Sequence, residues 1–268
     1  MNQDILHFSH ANGFPAESYK TLFKALSTDF QIGHIDRLAH NPNYPVTDSW
    51  PHLVDELIDH LDRTYDQPVI AVGHSMGGVL SYMAALKRPE LFKAFIMLDA
   101  PLLLGFDRLF MQTAKRLGFV DRVTPAGRTI GRCEWWPDFE TAVNYFKGKG
   151  LFRYMDQRCI EDYVRYGTEP SNDGLALRYS AATEVELYRT LPHGLGKGLA
   201  KSQVPGAFIY GRQSRVVWPY QIRMVRDKAG VYATGIDGSH MFPLEHPEKT
   251  AHAIRATVEK LQTWQNQK

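Results

Sequence analysis

The sequence predicts an α/β protein: a mostly parallel central sheet flanked by helices on both faces, with an inserted helical cap. Three observations predict it. Short, nearly continuous apolar runs alternate with segments of helical period, the pattern of strands buried on both faces. The alternation stops near residue 100 and resumes near 204. Between the third run and the helix-like segment after it lies Gly73-His74-Ser75-Met76-Gly77, a serine between two glycines at a strand-to-helix turn.

Taken in order, Ile5 to Ser9 reads as the first strand, broken by His10-Ala11-Asn12-Gly13-Phe14-Pro15. From Glu17 to Leu26, Tyr19, Leu22, Phe23 and Leu26 recur at helical spacing. Phe30 to Ile35 gives a second strand, followed by a polar loop rich in Asn and Pro. Trp50, Leu53, Leu57, Ile58 and Leu61 mark an amphipathic helix, with Asp48 or Ser49 as its expected cap and Pro51 in its first turn. Val69 to Val72 is the third strand, with Ser75 at its end. The next helix runs to about Lys87-Arg88-Pro89, and Phe92 to Leu98 is a fourth strand closed by Asp99.

Residues 101 to about 200 show no convincing buried strand. They carry helical stretches, such as Leu103 to Leu117, Phe139 to Phe146 and Cys159 to Tyr166, and aromatic patches around Trp135-Trp136 and Leu151 to Tyr154. Most of these aromatics are read as the cap's own core or its contact with the main domain, and a few as a pocket lining. Alternation resumes with a strand from Gly206 to Gly211, a helix from Pro219 to Ala229 and a short strand from Val231 to Thr234. His240 follows in a loop, and Pro247 to Trp264 is a final helix. The expected organisation is a core of residues 1–100 and 204–268, with a cap or lid of residues 101–203.

The bulk numbers exclude several classes. With 268 residues, 44% apolar and 22% charged, the chain has the composition of a soluble globular protein. Its formal net charge of +2 gives no reason to expect a nucleic-acid or anionic-membrane partner. Cys133 and Cys159 form neither a disulfide framework nor a zinc cluster, and no cofactor or metal is expected. No apolar run is long enough for a membrane span, and the first residues lack the features of a signal peptide. A cytoplasmic protein, monomer or homodimer, is the expectation.

The turn at Ser75 is the nucleophile elbow of a serine hydrolase: the glycines flank it because the turn is too tight for side chains there. With the His-Ala-Asn-Gly-Phe-Pro segment and the late Gly238-Ser239-His240, it resembles the α/β-hydrolase superfamily, in particular esterase and carbon–carbon hydrolase members with a helical cap. The resemblance implies an α/β-hydrolase fold, eight-stranded in its full form, of which the first hairpin is absent or trimmed here. It also implies the chain order nucleophile, acid, histidine, which makes His240 the base. His74 is read as structural support.

The acid departs from the commonest pattern of that superfamily, Gly-x-x-Asp after the next-to-last strand. This chain has Gly211-Arg212-Gln213-Ser214 there, and a serine cannot hold a histidine tautomer as a carboxylate does. Asp99, at the end of the strand after the nucleophile helix, is the expected substitute; the alternatives are Asp237, a carboxylate elsewhere, or a dyad without an acid. The expected oxyanion donors are the backbone amides of Met76 and Phe14. Arg212, Arg215 and Lys197 are candidate anchors for a substrate carboxylate, though scattered cations are more often solvated surface. The expected activity is hydrolysis of small to medium apolar carboxylic esters through an acyl-enzyme. The alternatives are hydrolytic cleavage of a carbon–carbon bond in a vinylogous diketone, and a non-catalytic scaffold that binds such a ligand.

Overall fold

Side chains that alternate between two apolar faces decide how the chain layers itself. The computed structural model describes residues 3–195 and 202–265. Its first part comprises β1 (Asp4–Ser9), α1 (Lys20–Leu26), β2 (Phe30–His34), α2 (Pro51–Thr64), β3 (Val69–His74), α3 (Met76–Lys87) and β4 (Phe92–Leu98). The chain then forms α4 (Phe106–Arg116), the single turns α5 (Val120–Val123) and α6 (Ala126–Thr129), β5 (Trp135–Trp136), α7 (Phe139–Lys147) and α8 (Gln157–Gly167). After β6 (Thr168–Ser171), β7 (Gly174–Leu177) and α9 (Ala181–Arg189) come β8 (Gly206–Gly211), α10 (Pro219–Ala229), β9 (Tyr232–Ile236), α11 (Phe242–Glu245) and α12 (Pro247–Gln265).

Six strands pair in the order β2-β1-β3-β4-β8-β9, every pair parallel. Period-two alternation divides the core. Ile70, Val72, Ile96 and Leu98 pack with α1 and α12, whereas Val69, Ala71, Phe95 and Met97 pack with α2, α3 and α10. Strand order reverses direction between β1 and β3. The loops leaving those two strands therefore diverge to opposite faces and open a crevice at the carboxyl ends, where ligands of such sheets bind. The loop at 10–15 and Ser75 flank that crevice.

Two expectations need correction. The N-cap of α2 is Trp50, at φ 58°, with no side-chain capping bond, and not Asp48 or Ser49. Packing overrides capping chemistry here: Trp50 is 1% exposed and its Nε1 donates to Thr190 Oγ1 at 3.0 Å. The segment between β4 and β8 is not purely helical either, because β5, β7 and β6 form an antiparallel sheet in that order. These strands are too short and too exposed to show an apolar period, and Pro170 sits on an edge strand, where its missing N–H is tolerated.

That segment docks on the start of α1 and on the loop leaving β2. Asp162 Oδ2 accepts from both the N–H and the hydroxyl of Thr21, at 2.9 and 2.6 Å. Arg178 pairs with Asp36 at 2.6 Å, and Arg37 donates to the Arg178 carbonyl at 2.6 Å. Among the described residues, no helix is long and apolar enough to cross a membrane.

Candidate active site

A tight turn needs small neighbours, and the chain supplies them where β3 meets α3. Ser75 stands at φ 52°, ψ −115°, a conformation that costs a residue with a side chain about 1–3 kcal/mol. A Cβ on Gly73 would lie 2.2 Å from the Gly77 carbonyl oxygen, and one on Gly77 would lie 2.0 Å from that of Ser9. Neither glycine can be replaced without moving backbone. Met76 opens α3, so its N–H belongs to the first turn, whose amides have no partner within the helix.

His240 lies in the loop between β9 and α11, and its Nε2 is 3.1 Å from Ser75 Oγ. Its Nδ1 is 2.7 Å from Asp99 Oδ2. The tautomer protonated at Nδ1 satisfies both contacts, leaving Nε2 to accept the serine proton. Two groups hold the loop. Glu245 accepts from the Ser239 N–H at 2.8 Å and also binds the Ser239 hydroxyl. His74 Nε2 donates to the His240 carbonyl at 2.9 Å, while its Nδ1 accepts from the Tyr19 hydroxyl at 2.6 Å. Burial, followed by the nearby His240 ring, holds His74 well below the usual histidine range, so it remains a neutral brace.

Asp99 is fully buried at the tip of β4, at φ +45°. Besides His240 it binds the Gly211 N–H at 2.8 Å and the Ser214 hydroxyl at 2.6 Å. The serine that breaks the Gly-x-x-Asp pattern thus donates to the carboxylate on the neighbouring strand. Asp237 faces away: its side chain is 69% exposed and pairs with Arg212 at 2.8 Å. Arg215 is exposed and makes no ion pair among the described residues, and Lys197 lies outside them.

The loop after β1 is braced from two sides. His10 donates from Nδ1 to the Ala11 carbonyl and accepts the Leu38 N–H at Nε2, both at 2.8 Å. Burial lowers it to about 4, which keeps the ring neutral. Gly13 has φ 80°, and a Cβ there would meet the Glu184 carboxylate at 3.0 Å. Tyr163 donates to the Gly13 carbonyl at 3.2 Å and accepts from Arg132 at 3.1 Å, while Arg132 pairs with the buried Glu184. The Phe14 ring packs on Tyr163 and Phe152, with centroids 4.8 and 5.8 Å apart. Its N–H donates to the Ala11 carbonyl at 3.1 Å, so the expected oxyanion donor already has a competing acceptor.

Ser75, His240 and Asp99 are therefore in one hydrogen-bonded line, with Met76 at the adjoining helix start. Sequence reasoning missed Ser214 as a partner of Asp99, and it missed the Arg132–Glu184–Tyr163 group entirely. The serine did carry a signal, since a hydroxyl replaces the usual carboxylate beside an acid on the next strand. The second group carried none.

A family model described as "Alpha/beta hydrolase family" matches residues 8–253. The chain is 25% identical over 175 residues to the type I acyl-CoA thioesterase mpaH of Penicillium roqueforti, covering 59% of this chain and 38% of that protein. It thus spans well under half the length of that relative. It is 26% identical over 213 residues to lipase LipV of Mycobacterium tuberculosis, covering 76% of this chain and 74% of the lipase. Among solved structures, E-2-(acetamidomethylene)succinate hydrolase superposes with a TM-score of 0.76 at 20% identity, covering 96% of this chain and 92% of that one. At that identity the likeness shows the fold alone.

Proposed function

The chain belongs to the alpha/beta hydrolase family, and we propose that within it this protein is a serine hydrolase of small to medium apolar carboxylic esters, thioesters included. The single observation that carries this reading is the His240 ring, 3.1 Å from Ser75 Oγ on one side and 2.7 Å from Asp99 Oδ2 on the other. A serine hydroxyl is a weak nucleophile until an oriented base takes its proton. In the proposed cycle Ser75 Oγ attacks the acyl carbon as His240 Nε2 accepts its proton. Asp99 holds the Nδ1 proton in place and offsets the imidazolium charge. His240 then protonates the leaving group, and a water deprotonated by the same ring releases the acid from Ser75.

The tetrahedral oxyanion takes the Met76 N–H and, from the loop after β1, the Phe14 N–H. An anionic oxygen is a stronger acceptor than the Ala11 carbonyl that Phe14 binds here, so the bond can be exchanged as charge develops. Residues 101–203 serve as a lid: Tyr163 donates to the Gly13 carbonyl and Asn12 Nδ2 donates to the Glu184 carbonyl at 3.0 Å, which ties this segment to the loop that supplies that donor. The thioesterase and lipase relatives support an apolar acyl group.

The test is turnover on p-nitrophenyl esters and acyl thioesters of increasing chain length, followed from the first seconds. An initial burst stoichiometric with enzyme, lost in Ser75→Ala, is the expected result. Turnover that survives in Ser75→Ala would remove the serine from the chemistry.

A further inference from the structure

The first helix of the inserted segment carries an apolar stripe that lies mostly open to solvent; of its rings, Phe110 meets Phe119 edge-on, with centroids 6.2 Å apart. α4 buries Met111 and Ala114 against the protein. Phe106, Leu109, Phe110 and Leu117 recur at helical spacing on a different stripe, where they are 89%, 61%, 52% and 68% exposed. Trp218, at the N-terminus of α10, is 57% exposed and extends the patch. The two helix starts are tied together, because Asp107 accepts from Gln221 Nε2 at 2.7 Å and from the Tyr220 hydroxyl.

Charge surrounds this stripe unevenly. Residues 106–132 hold six basic side chains and two acidic ones, while the remainder of the chain holds more acidic than basic residues. Asp107 is engaged by α10, and Asp121 pairs with Arg189 at 2.6 Å. Lys115 and Arg132 are paired with Asp48 and Glu184. Arg116, Arg122 and Arg128 are exposed and make no ion pair among the described residues, and neither does exposed Arg215, three residues before Trp218, whereas Arg108 is half-buried with its Nε enclosed. The small net charge of the whole chain conceals this local excess.

We propose that α4 and the 215–218 loop form a docking face for an anionic lipid surface. An amphipathic helix with Phe and Leu on one side and arginines beside them lies in the interface between headgroups and acyl chains. The apolar side chains enter the acyl boundary and the unpaired arginines take the lipid phosphates. A fluid interface requires no matching pocket, which suits side chains that project as far as Phe106 does. The face adjoins the chemistry: Val216 N–H donates to Ser214 Oγ at 3.1 Å, and that hydroxyl donates to Asp99 at 2.6 Å. Only the biological sense of this proposal rests on the ester-hydrolase reading. Its test does not.

The experiment is co-sedimentation of the full chain with phosphatidylcholine vesicles, with and without phosphatidylserine as about a third of the lipid. Ser75→Ala should bind like the original protein, which separates docking from catalysis. Binding to the anionic vesicles should exceed binding to the neutral ones by about tenfold or more and weaken as salt is raised. Phe106→Ser with Leu109→Ser should abolish it. Arg116→Gln and Arg122→Gln should each reduce it roughly five-fold. Circular dichroism should be unchanged in all of these variants. Equal affinity for both vesicle types, no binding to either, or binding unaffected by the serine substitutions would overturn the proposal. So would sedimentation showing a dimer that Phe106→Ser with Leu109→Ser dissociates, or capture of an acidic protein through this face with no vesicle binding.

Discussion

The tips of β4 and β8 lie side by side in the sheet, and they share one task unequally. The β4 tip presents a buried carboxylate, Asp99. The β8 tip presents the Gly211 amide and the Ser214 hydroxyl, and both donate to that carboxylate. A second carboxylate, Asp237 after β9, points to solvent and to Arg212. The difference teaches that the acid partner of a histidine is fixed by reach to Nδ1, and not by its place in the chain. A neighbouring tip that gives up its carboxylate can still serve by donating hydrogen bonds.

The largest test of the chemistry that these tips support is Ser75→Ala, which should lower kcat by at least about 10⁴ on any ester that the enzyme turns over. Asp99→Asn comes next, with an expected loss of about 10⁴ in kcat and little change in fold. Adding Ser214→Asp to Asp99→Asn moves the acid from one tip to the other and should restore at least about tenfold. Failure of that rescue would show that the β8 tip has lost the geometry to hold an acid.

The scaffold beneath the tips has its own pH limit. His7, His10 and His74 are buried and held below the usual histidine range, His10 at about 4. Between about pH 4 and 6.5 the unfolded chain binds protons that the folded chain refuses, so stability should rise with pH across that window. His10 alone contributes on the order of 3 kcal/mol, from its fall of about 2.5 pH units. Glu56, which burial pushes up to about 7, and Asp107, also raised by burial, act in the opposite sense, against these three histidines and the half-buried His40 and His60, which burial likewise lowers. Urea titrations at pH 4.5 and 7 check the sign.

Smaller effects sharpen the comparison further. Ser214→Ala removes one hydrogen bond to a buried carboxylate and should reduce kcat about tenfold. Asp237→Asn should change kcat by less than about twofold, because exposed ion pairs contribute little.

What the sequence disclosed follows from the range over which its signals act. The elbow is legible because two backbone clashes force glycine at 73 and 77 within a few residues of Ser75. The parallel sheet is legible because β3 is buried along its whole length. Asp99 is legible only through the resemblance to the superfamily, whose Gly-x-x-Asp position holds Ser214 here while a carboxylate stands at the preceding strand end. The group of Arg132, Glu184 and Tyr163 was invisible: each residue is ordinary where it stands, and only the fold brings them to Gly13. The same holds for the turn bond that occupies the Phe14 amide, for the Trp50 cap, and for the small sheet of β5, β7 and β6.

Because the natural substrate is not needed to read the nucleophile, the most direct test is the rate at which a fluorophosphonate labels the protein, with the adduct located by peptide mapping. One adduct is expected, on Ser75, formed at least about 10³ times more slowly in Asp99→Asn and at nearly the original rate in Asp237→Asn. An adduct on another residue, or undiminished labelling of Asp99→Asn, would contradict this expectation.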